Sequence, residues 1–316
     1  MLDIKFIREN SDLIKAAAQK KRLEFDVDAL LDADKRRLEA LALVEKLRTE
    51  QNKVTDRVAK TKDADEREAL IREMRSLKEH AKEKEDALKE ILKKWQALML
   101  RVPNVPDMSV PEGASDAENE EVRRVGDIPK FDFTPKNQIE LMEKLDMVDF
   151  ERGTKVAGFR GYFLKNDGAL LSFAIWQFVL DHMVKAGFTP MIVPSLVKRE
   201  PLFGTGYLPQ GEEDLYKTED GEYLAGTGEV GAMGYYMDEI LDEKELPKKF
   251  IAFSPCFRRE AGSHGKDTKG LIRVHEFFKL EQVVLCEAEH EESVKHHEAL
   301  TTNAEKLLSA LKIPYR

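Results

Sequence analysis

The spacing of apolar residues changes twice along this chain, and each change marks a different architecture. From about Asp28 to Lys60 the pattern is helical, with Leu41, Val44, Gln51, Val54 and Val58 near one stripe. After the polar break Thr61-Lys62-Asp63-Ala64-Asp65, a second run sets Leu70, Met74, Leu77, Ala81, Lys84, Leu88, Ile91, Trp95 and Leu98 at alternating spacings of 4 and 3. That is a heptad seam interrupted only by Lys84. Two such runs joined by a short turn predict an antiparallel coiled-coil hairpin, each helix of about 30 residues being roughly 45 Å long. A hairpin of that length has to project from its domain. Residues 1–25 read as short amphipathic helices, with Ile4, Ile7, Leu13 and Ile14 as expected core.

The segment Val102–Gly126 holds Pro103, Pro106 and Pro111 among small and acidic residues, which end the helix and predict a linker. Beyond it the chain takes an ordinary mixed character. Residues 136–151 and 169–186 read as helices, the second apolar nearly all round and so expected to be buried or at an interface. Tyr207–Glu222 reads as a polar, Gly-rich excursion. The apolar run Phe250–Phe257, a Gly-, Ser- and Lys-containing connection from Gly262 to Gly270, and an alternating segment to Glu281 predict an antiparallel β-hairpin. An apolar strand, Val283–Cys286, and an amphipathic helix, Glu291–Leu311, follow.

Composition narrows the classes. At 316 residues the chain has room for two domains, and a net charge of −9 argues against a generally adhesive nucleic-acid binder. The charge is unevenly spread. Leu31–Leu98 carries 18 basic and 16 acidic residues, a net of +2, which leaves −11 for the remainder. The hairpin sides present Arg36, Arg37, Lys46, Arg48, Lys53, Arg57, Arg72, Arg75, Lys78 and Lys82. Either a spacer or dimerisation arm, or an arm gripping RNA through its shape and phosphates, fits that pattern. The two cysteines, Cys256 and Cys286, form neither a disulfide framework nor a zinc motif, and the N-terminus lacks a signal-peptide core. A reducing cytoplasm is the expected compartment, with no membrane partner.

Candidate chemistry concentrates in the hairpin. If Arg273, His275, Phe277, Lys279 and Glu281 alternate as written, they share one face carrying cations, an aromatic ring and a carboxylate. A nucleotide and an amine would use such a set, although a solvated hairpin fits the pattern equally well. His290, His296 and His297 lack the spacing of a metal site and read as a solvated helix face.

The same residues carry a family resemblance. Phe257-Arg258-Arg259-Glu260-Ala261-Gly262, then Gly265-Lys266-Asp267-Thr268-Lys269-Gly270-Leu271-Ile272-Arg273-Val274-His275, then Lys279-Leu280-Glu281 resembles motif 2 of the class II aminoacyl-tRNA synthetases in its seryl form. Departures occur at Glu276, where Gln is usual, and at Phe278, where a polar residue is common. The helix before Gly187-Phe188-Thr189-Pro190-Met191-Ile192-Val193-Pro194 is similar to motif 1, and Thr227-Gly228-Glu229 resembles the family's Thr-(Ala/Ser)-Glu serine loop with its middle methyl lost. The opening MLDIKFIREN, the run LLDADKRRLEAL and the linker also look like that family.

The resemblance implies an α+β chain: an N-terminal antiparallel coiled-coil hairpin followed by a class II synthetase antiparallel-sheet catalytic domain, incomplete at the C-terminus. It implies a tRNA-binding arm over 1–100, a linker over 101–130 and a catalytic domain over 131–316. It further implies activation of L-serine with ATP to seryl-adenylate and transfer to tRNA(Ser), in a cytoplasmic homodimer joined through the motif 1 region, with Mg2+ accompanying ATP. Arg258 and Arg273 become the expected catalytic cations, for the α- and γ-phosphates. Glu260 and Phe277 become the expected adenine contacts, and Thr227, Glu229 and Glu281 the serine contacts. No metal-ligand residue is expected. The matched region corresponds to about the first three quarters of the family and stops before motif 3, so weak or no catalysis is expected of the chain as written. A non-catalytic tRNA-binding protein and an enzyme loading an amino acid onto a carrier protein are the competing readings. The arm argues against the last.

Overall fold

The computed structural model describes residues 2–262, 265, 267 and 269–316. Contacts divide the chain into two compact units, Met1–Glu120 and Glu121–Arg316. The expected linker is thus shared between them, with one 3-10 turn at Asp116–Glu118.

In the first unit, α1 (Ile4–Glu9) and α2 (Ser11–Lys20) precede two long helices, α3 (Val27–Lys60) and α4 (Ala64–Met99). At 34 and 36 residues, the long pair runs about 50 Å at ~1.5 Å per residue, slightly beyond the sequence expectation. Asp26 and Asp63 start them, each accepting a backbone N–H from the first turn, at 2.9 and 2.8 Å. The pairing is antiparallel: Thr55 touches Met74, Arg48 reaches Glu85, and Arg37 lies over Trp95. The seam of α4 follows the expected heptad, with Leu70, Ala81 and Leu88 buried. On α3, Leu47 is buried between Val44 and Val54, whereas Leu41 faces outward. The spacing of 3 from Val44 to Leu47 keeps the stripe on its partner, and Leu41 belongs to the neighbouring face. Ile7 and Ile14 enter the core with Val27, Leu30 and Met99. Leu13 is 44% exposed, contrary to expectation, because one residue is about 100° of helix turn away from Ile14.

The second unit begins with α5 (Gln138–Lys144), β1 (Val148–Asp149), α6 (Phe150–Ala157) and β2 (Phe163–Leu164). The single helix expected over 136–151 is therefore broken. Asp146 takes a left-handed φ of 54°, and Lys165 and Asn166 bind its carboxylate, which fixes the turn between α5 and β1. Next come α7 (Asp167–Lys185), β3 (Thr189–Ile192), β4 (Leu196–Val197), α8 (Arg199–Gly204), β5 (Tyr216–Lys217), β6 (Tyr223–Leu224), α9 (Gly228–Gly234), β7 (Lys248–Phe257), β8 (Glu276–Leu285) and α10 (His290–Ala310).

The main sheet runs β3-β7-β8, with β3 parallel to β7 and β7 antiparallel to β8 over ten residue pairs from Lys248↔Leu285 to Phe257↔Glu276. One face packs Phe250, Ala252 and Val283 against Ala232 of α9. The other packs Ile251, Leu280 and Val284 against Met183, Leu300 and Leu307 of α7 and α10. The segment read as a polar excursion is instead a small domain. Leu208, Leu215 and Tyr223 are buried with Val197, Leu202 and Val230 around the sheet β4-β6-β5. Gly and Glu mask the sparse apolar residues that build this core. Along α7 only Gly168 and Met183 are buried, and Leu170, Leu171, Phe173 and Ile175 are exposed, so burial within the chain does not account for its apolar surface. His296 tucks its ring in to 11% exposure beside Glu292, unlike the solvated His297. Among the described residues no helix is long and apolar enough to cross a membrane.

Candidate active site

The site is built on the hairpin face that looks towards α9. Alternation along β8 sends Phe277, Lys279 and Glu281 to this side, opposite Cys256, Ser254 and Ala252 of β7. Arg273 and His275 precede the strand, so the expected five-residue face is regular only from Phe277 onward. Residues 263, 264, 266 and 268 of the expected connecting loop lie outside the described residues.

At one end, the pairing continues past β7. The Arg258 N–H donates to the His275 carbonyl at 2.9 Å, and the Arg258 carbonyl meets His275 Nδ1 at 2.9 Å. The Arg258 side chain is thereby aimed across the face, where its Nε donates to the Gly226 carbonyl at 3.1 Å and its Cζ lies 5.4 Å from the Phe277 ring centroid. Glu260 stands at a left-handed φ of 55°, and its carboxylate accepts from Arg273 Nη1 at 2.6 Å. Asp214 anchors this turn from the small domain. Its carbonyl accepts the Arg259 N–H at 2.9 Å and its carboxylate the Ala261 N–H at 2.8 Å. A cavity of about 600 Å3 borders Phe277 and His275, walled by Phe159, Trp176, Tyr216 and Phe278.

At the other end, α9 starts over β8. Thr227 is its N-cap residue and its hydroxyl donates to Glu281 Oε2. The same Glu281 oxygen accepts the Glu229 N–H at 3.0 Å and pairs with Lys279 Nζ at 2.8 Å. Lys279 Nζ also donates to Thr227 Oγ1 at 2.7 Å. Burial pushes the Glu281 carboxyl up, but Lys279, Thr227 and the Glu229 N–H outweigh it and hold it below the ordinary carboxylate range. Glu229 goes the other way, raised first by burial and then by Glu281. Gly228 sits tightly on β7, where a Cβ would meet Ser254 Oγ at 3.1 Å.

All seven expected residues therefore lie on or beside one hairpin. The structure groups them as Arg258 with Phe277, Arg273 with Glu260, and Thr227 and Glu229 with Glu281. Sequence reasoning assigned no role to Lys279, Gly226 or Asp214. Only Lys279 left a signal, its place between Phe277 and Glu281 on an alternating strand. Among the described residues no group of three or more His, Cys, Asp or Glu side chains is placed to hold a metal ion.

Residues 216–316 match the tRNA synthetase class II core domain (G, H, P, S and T), and residues 1–106 match the seryl-tRNA synthetase N-terminal domain. That match places the β7–β8 hairpin within a class II aminoacyl-tRNA synthetase core. The serine–tRNA ligase of Deinococcus radiodurans is 47% identical over 317 residues, covering all of this chain and 74% of that protein. The seryl-tRNA synthetase of Pyrococcus horikoshii complexed with ATP superposes with a TM-score of 0.86 at 37% identity, over 100% of this chain and 76% of that one. The cytoplasmic serine–tRNA ligase of Naegleria fowleri in complex with AMP gives a TM-score of 0.83 at 29% identity, over 100% and 73%. The chain belongs to the seryl-tRNA synthetase family, whose members are serine–tRNA ligases.

Proposed function

We propose that the site of this chain is built to activate L-serine with ATP to seryl-adenylate and to transfer the seryl group to tRNA(Ser), weakly in the 316-residue chain, with its nucleotide and amino-acid subsites at opposite ends of one strand face. The observation that carries the reading is the order Phe277, Lys279, Glu281 along β8, with Arg258 over the ring and Thr227 and Glu229 on the carboxylate. In the activation step a serine carboxylate oxygen bonds to the α-phosphorus while the bond to pyrophosphate breaks. That chemistry needs positioning and charge neutralisation more than an acid or a base.

Arg258 holds the α-phosphate, since its planar fork is always charged and gives up only a carbonyl and a ring face to do so. Phe277 stacks on the adenine, Glu260 accepts from its amino group, and Arg273 turns from Glu260 to the γ-phosphate. Glu281, Glu229 and Thr227 receive the serine ammonium and hydroxyl. Alanine is rejected through the hydrogen bond left unmade. Mg2+ accompanying ATP would supply charge neutralisation on the phosphates beside Arg258 and Arg273. The paired helices α3 and α4 hold the tRNA, and the exposed apolar face of α7 with Ile192 joins two copies in a cytoplasmic homodimer.

Serine-dependent pyrophosphate–ATP exchange on the 316-residue chain, with alanine and threonine as controls, tests the reading. Exchange that is specific for serine and lost in Arg258→Ala supports it. Equal exchange with alanine, or undiminished ATP affinity in Arg258→Ala, overturns it. Retention of tRNA(Ser) with no exchange points instead to a non-catalytic tRNA-binding protein.

A further inference from the structure

An ammonium already sits in the amino-acid end of the site, and it belongs to the protein. Lys279 Nζ lies 2.8 Å from Glu281 Oε2 and 2.7 Å from Thr227 Oγ1, an acid and a hydroxyl that a substrate ammonium requires. One oxygen of the carboxylate is crowded. Glu281 Oε2 also accepts the Thr227 hydroxyl and the Glu229 N–H, and Thr227 Oγ1 also accepts that N–H at 3.3 Å. A second cation can take the place between Glu281 Oε2 and Thr227 Oγ1 only if one donor leaves. The Glu229 N–H is backbone at the start of α9 and Thr227 is its cap, so both are fixed by the helix. Lys279 alone is a charge on a flexible stem, and its side chain is 29% exposed.

We propose that Lys279 determines specificity for an α-amino acid as a zwitterion: its ammonium holds the place of the substrate ammonium beside Glu281 and Thr227, then yields it and pairs with the substrate carboxylate. A displaced, partly buried cation needs a new anion. An α-amino acid brings one, a single carbon away from the ammonium that displaced it. An amine lacking the carboxylate strands Lys279 instead, so the exchange works against such ligands as well as for the right one. The inference rests on the proposed serine pocket and adds to it the part of the substrate read by Lys279.

Ligand-detected NMR titration of the 316-residue chain with L-serine, and with serinol, in which a hydroxymethyl group replaces the carboxylate, tests it. In Lys279→Met, serine binding weakens while serinol binding holds or tightens, so the preference for serine over serinol falls about tenfold. Lys279→Arg, which keeps the cation, retains the preference. Circular dichroism confirms that each variant is folded. A preference unchanged in folded Lys279→Met, or equal weakening of both ligands, overturns the inference. Glu281→Gln with undiminished serine binding, or an unaltered chain that binds neither ligand, overturns the pocket reading beneath it.

Discussion

Two carboxylates in this molecule are each held by cations, and their surroundings give them opposite uses. Asp34 on α3 is 1% exposed and pairs with Arg8 at 3.0 Å and with Arg37 at 2.8 Å, the Arg37 guanidinium lying over the Trp95 ring. Glu281 on β8 is 23% exposed and is held by a lysine, a hydroxyl and one backbone N–H. The first cluster is buried around Asp34, whose Oδ1 takes the Arg37 guanidinium and whose Oδ2 pairs with Arg8 without an aligned hydrogen bond, and it ties α1 to the base of the helical pair. The second is open on one side and its cation is replaceable. Charge pairing alone does not distinguish a structural cluster from a binding one; burial and the mobility of the cation do. It also corrects the reading of Arg37 as part of an RNA-gripping surface, since its side chain is only 16% exposed and is spent on Asp34.

The comparison is broken most directly at Asp34. Asp34→Ala leaves Arg8 and the largely buried Arg37 without their shared partner and is expected to cost about 3 kcal/mol, read as earlier loss of helical circular dichroism on urea titration. A change below about 1 kcal/mol would mean that the cluster exchanges its partners as easily as the open one.

At the open end the expected loss is of function. Arg258→Ala gives up a carbonyl and a ring face in the ligand-free state, neither a charged partner, so the fold tolerates it. Serine-dependent exchange should nevertheless fall about a hundredfold, the scale for removing one positioned charge from a developing centre. If the melting temperature falls and exchange persists, Arg258 belongs with Asp34 as a structural group.

How much of this was legible in the sequence depended on periodicity. Leu70–Leu98 displayed its heptad because a long helix must keep one face on its partner for many turns, and the β7–β8 hairpin showed in its alternation. The small domain around Leu208 and Leu215 was hidden, because its core is assembled from isolated residues of several short segments with no local period. The break at Asp146 was hidden as well, since its left-handed turn depends on Lys165 and Asn166, about twenty residues away. In the site, residue types were readable from the motif, but pairing was not. Nothing in the order of residues says that Glu260 rests on Arg273 or that Lys279 occupies the place beside Glu281.

Acid titration sharpens the contrast within the open cluster. Glu229, raised by burial and by Glu281, binds its proton more readily folded than unfolded, so its charged form lowers stability once pH rises through its raised value. Glu281, held low, contributes stability that is present above its unfolded value and lost as pH falls through its folded one. Glu229→Gln should therefore raise the melting temperature of the ligand-free chain at neutral pH and flatten the gain otherwise seen on mild acidification. Glu281→Gln should lower the melting temperature at neutral pH and flatten the loss in stronger acid. Scanning fluorimetry across that range checks both slopes. Parallel slopes in the two variants would mean that the two carboxyls share one environment.

The smallest effects are expected on the arm, where charges are exposed and the question is which of them are already matched. Arg36 pairs with Asp32 at 2.7 Å, Arg48 with Glu85 at 2.8 Å and Arg72 with Glu68 at 3.3 Å. Lys53 and Lys78 are exposed, and neither has an ion-pair partner within 4.0 Å among the described residues. Arg72→Ala should change stability by no more than about 0.5 kcal/mol, because the pair is solvated and screened. For tRNA binding the order is expected to follow pairing. Lys78→Ala should lower the slope of log affinity against log salt by about 0.7–0.9 if it meets one phosphate. Arg72→Ala should lower it by less, since Glu68 already balances that charge in the free protein. Fluorescence anisotropy with labelled tRNA(Ser) over a salt series reads both slopes. Equal losses would mean that the intramolecular pairs open on binding, which would make the arm's ion pairs as exchangeable as that of Lys279 and Glu281.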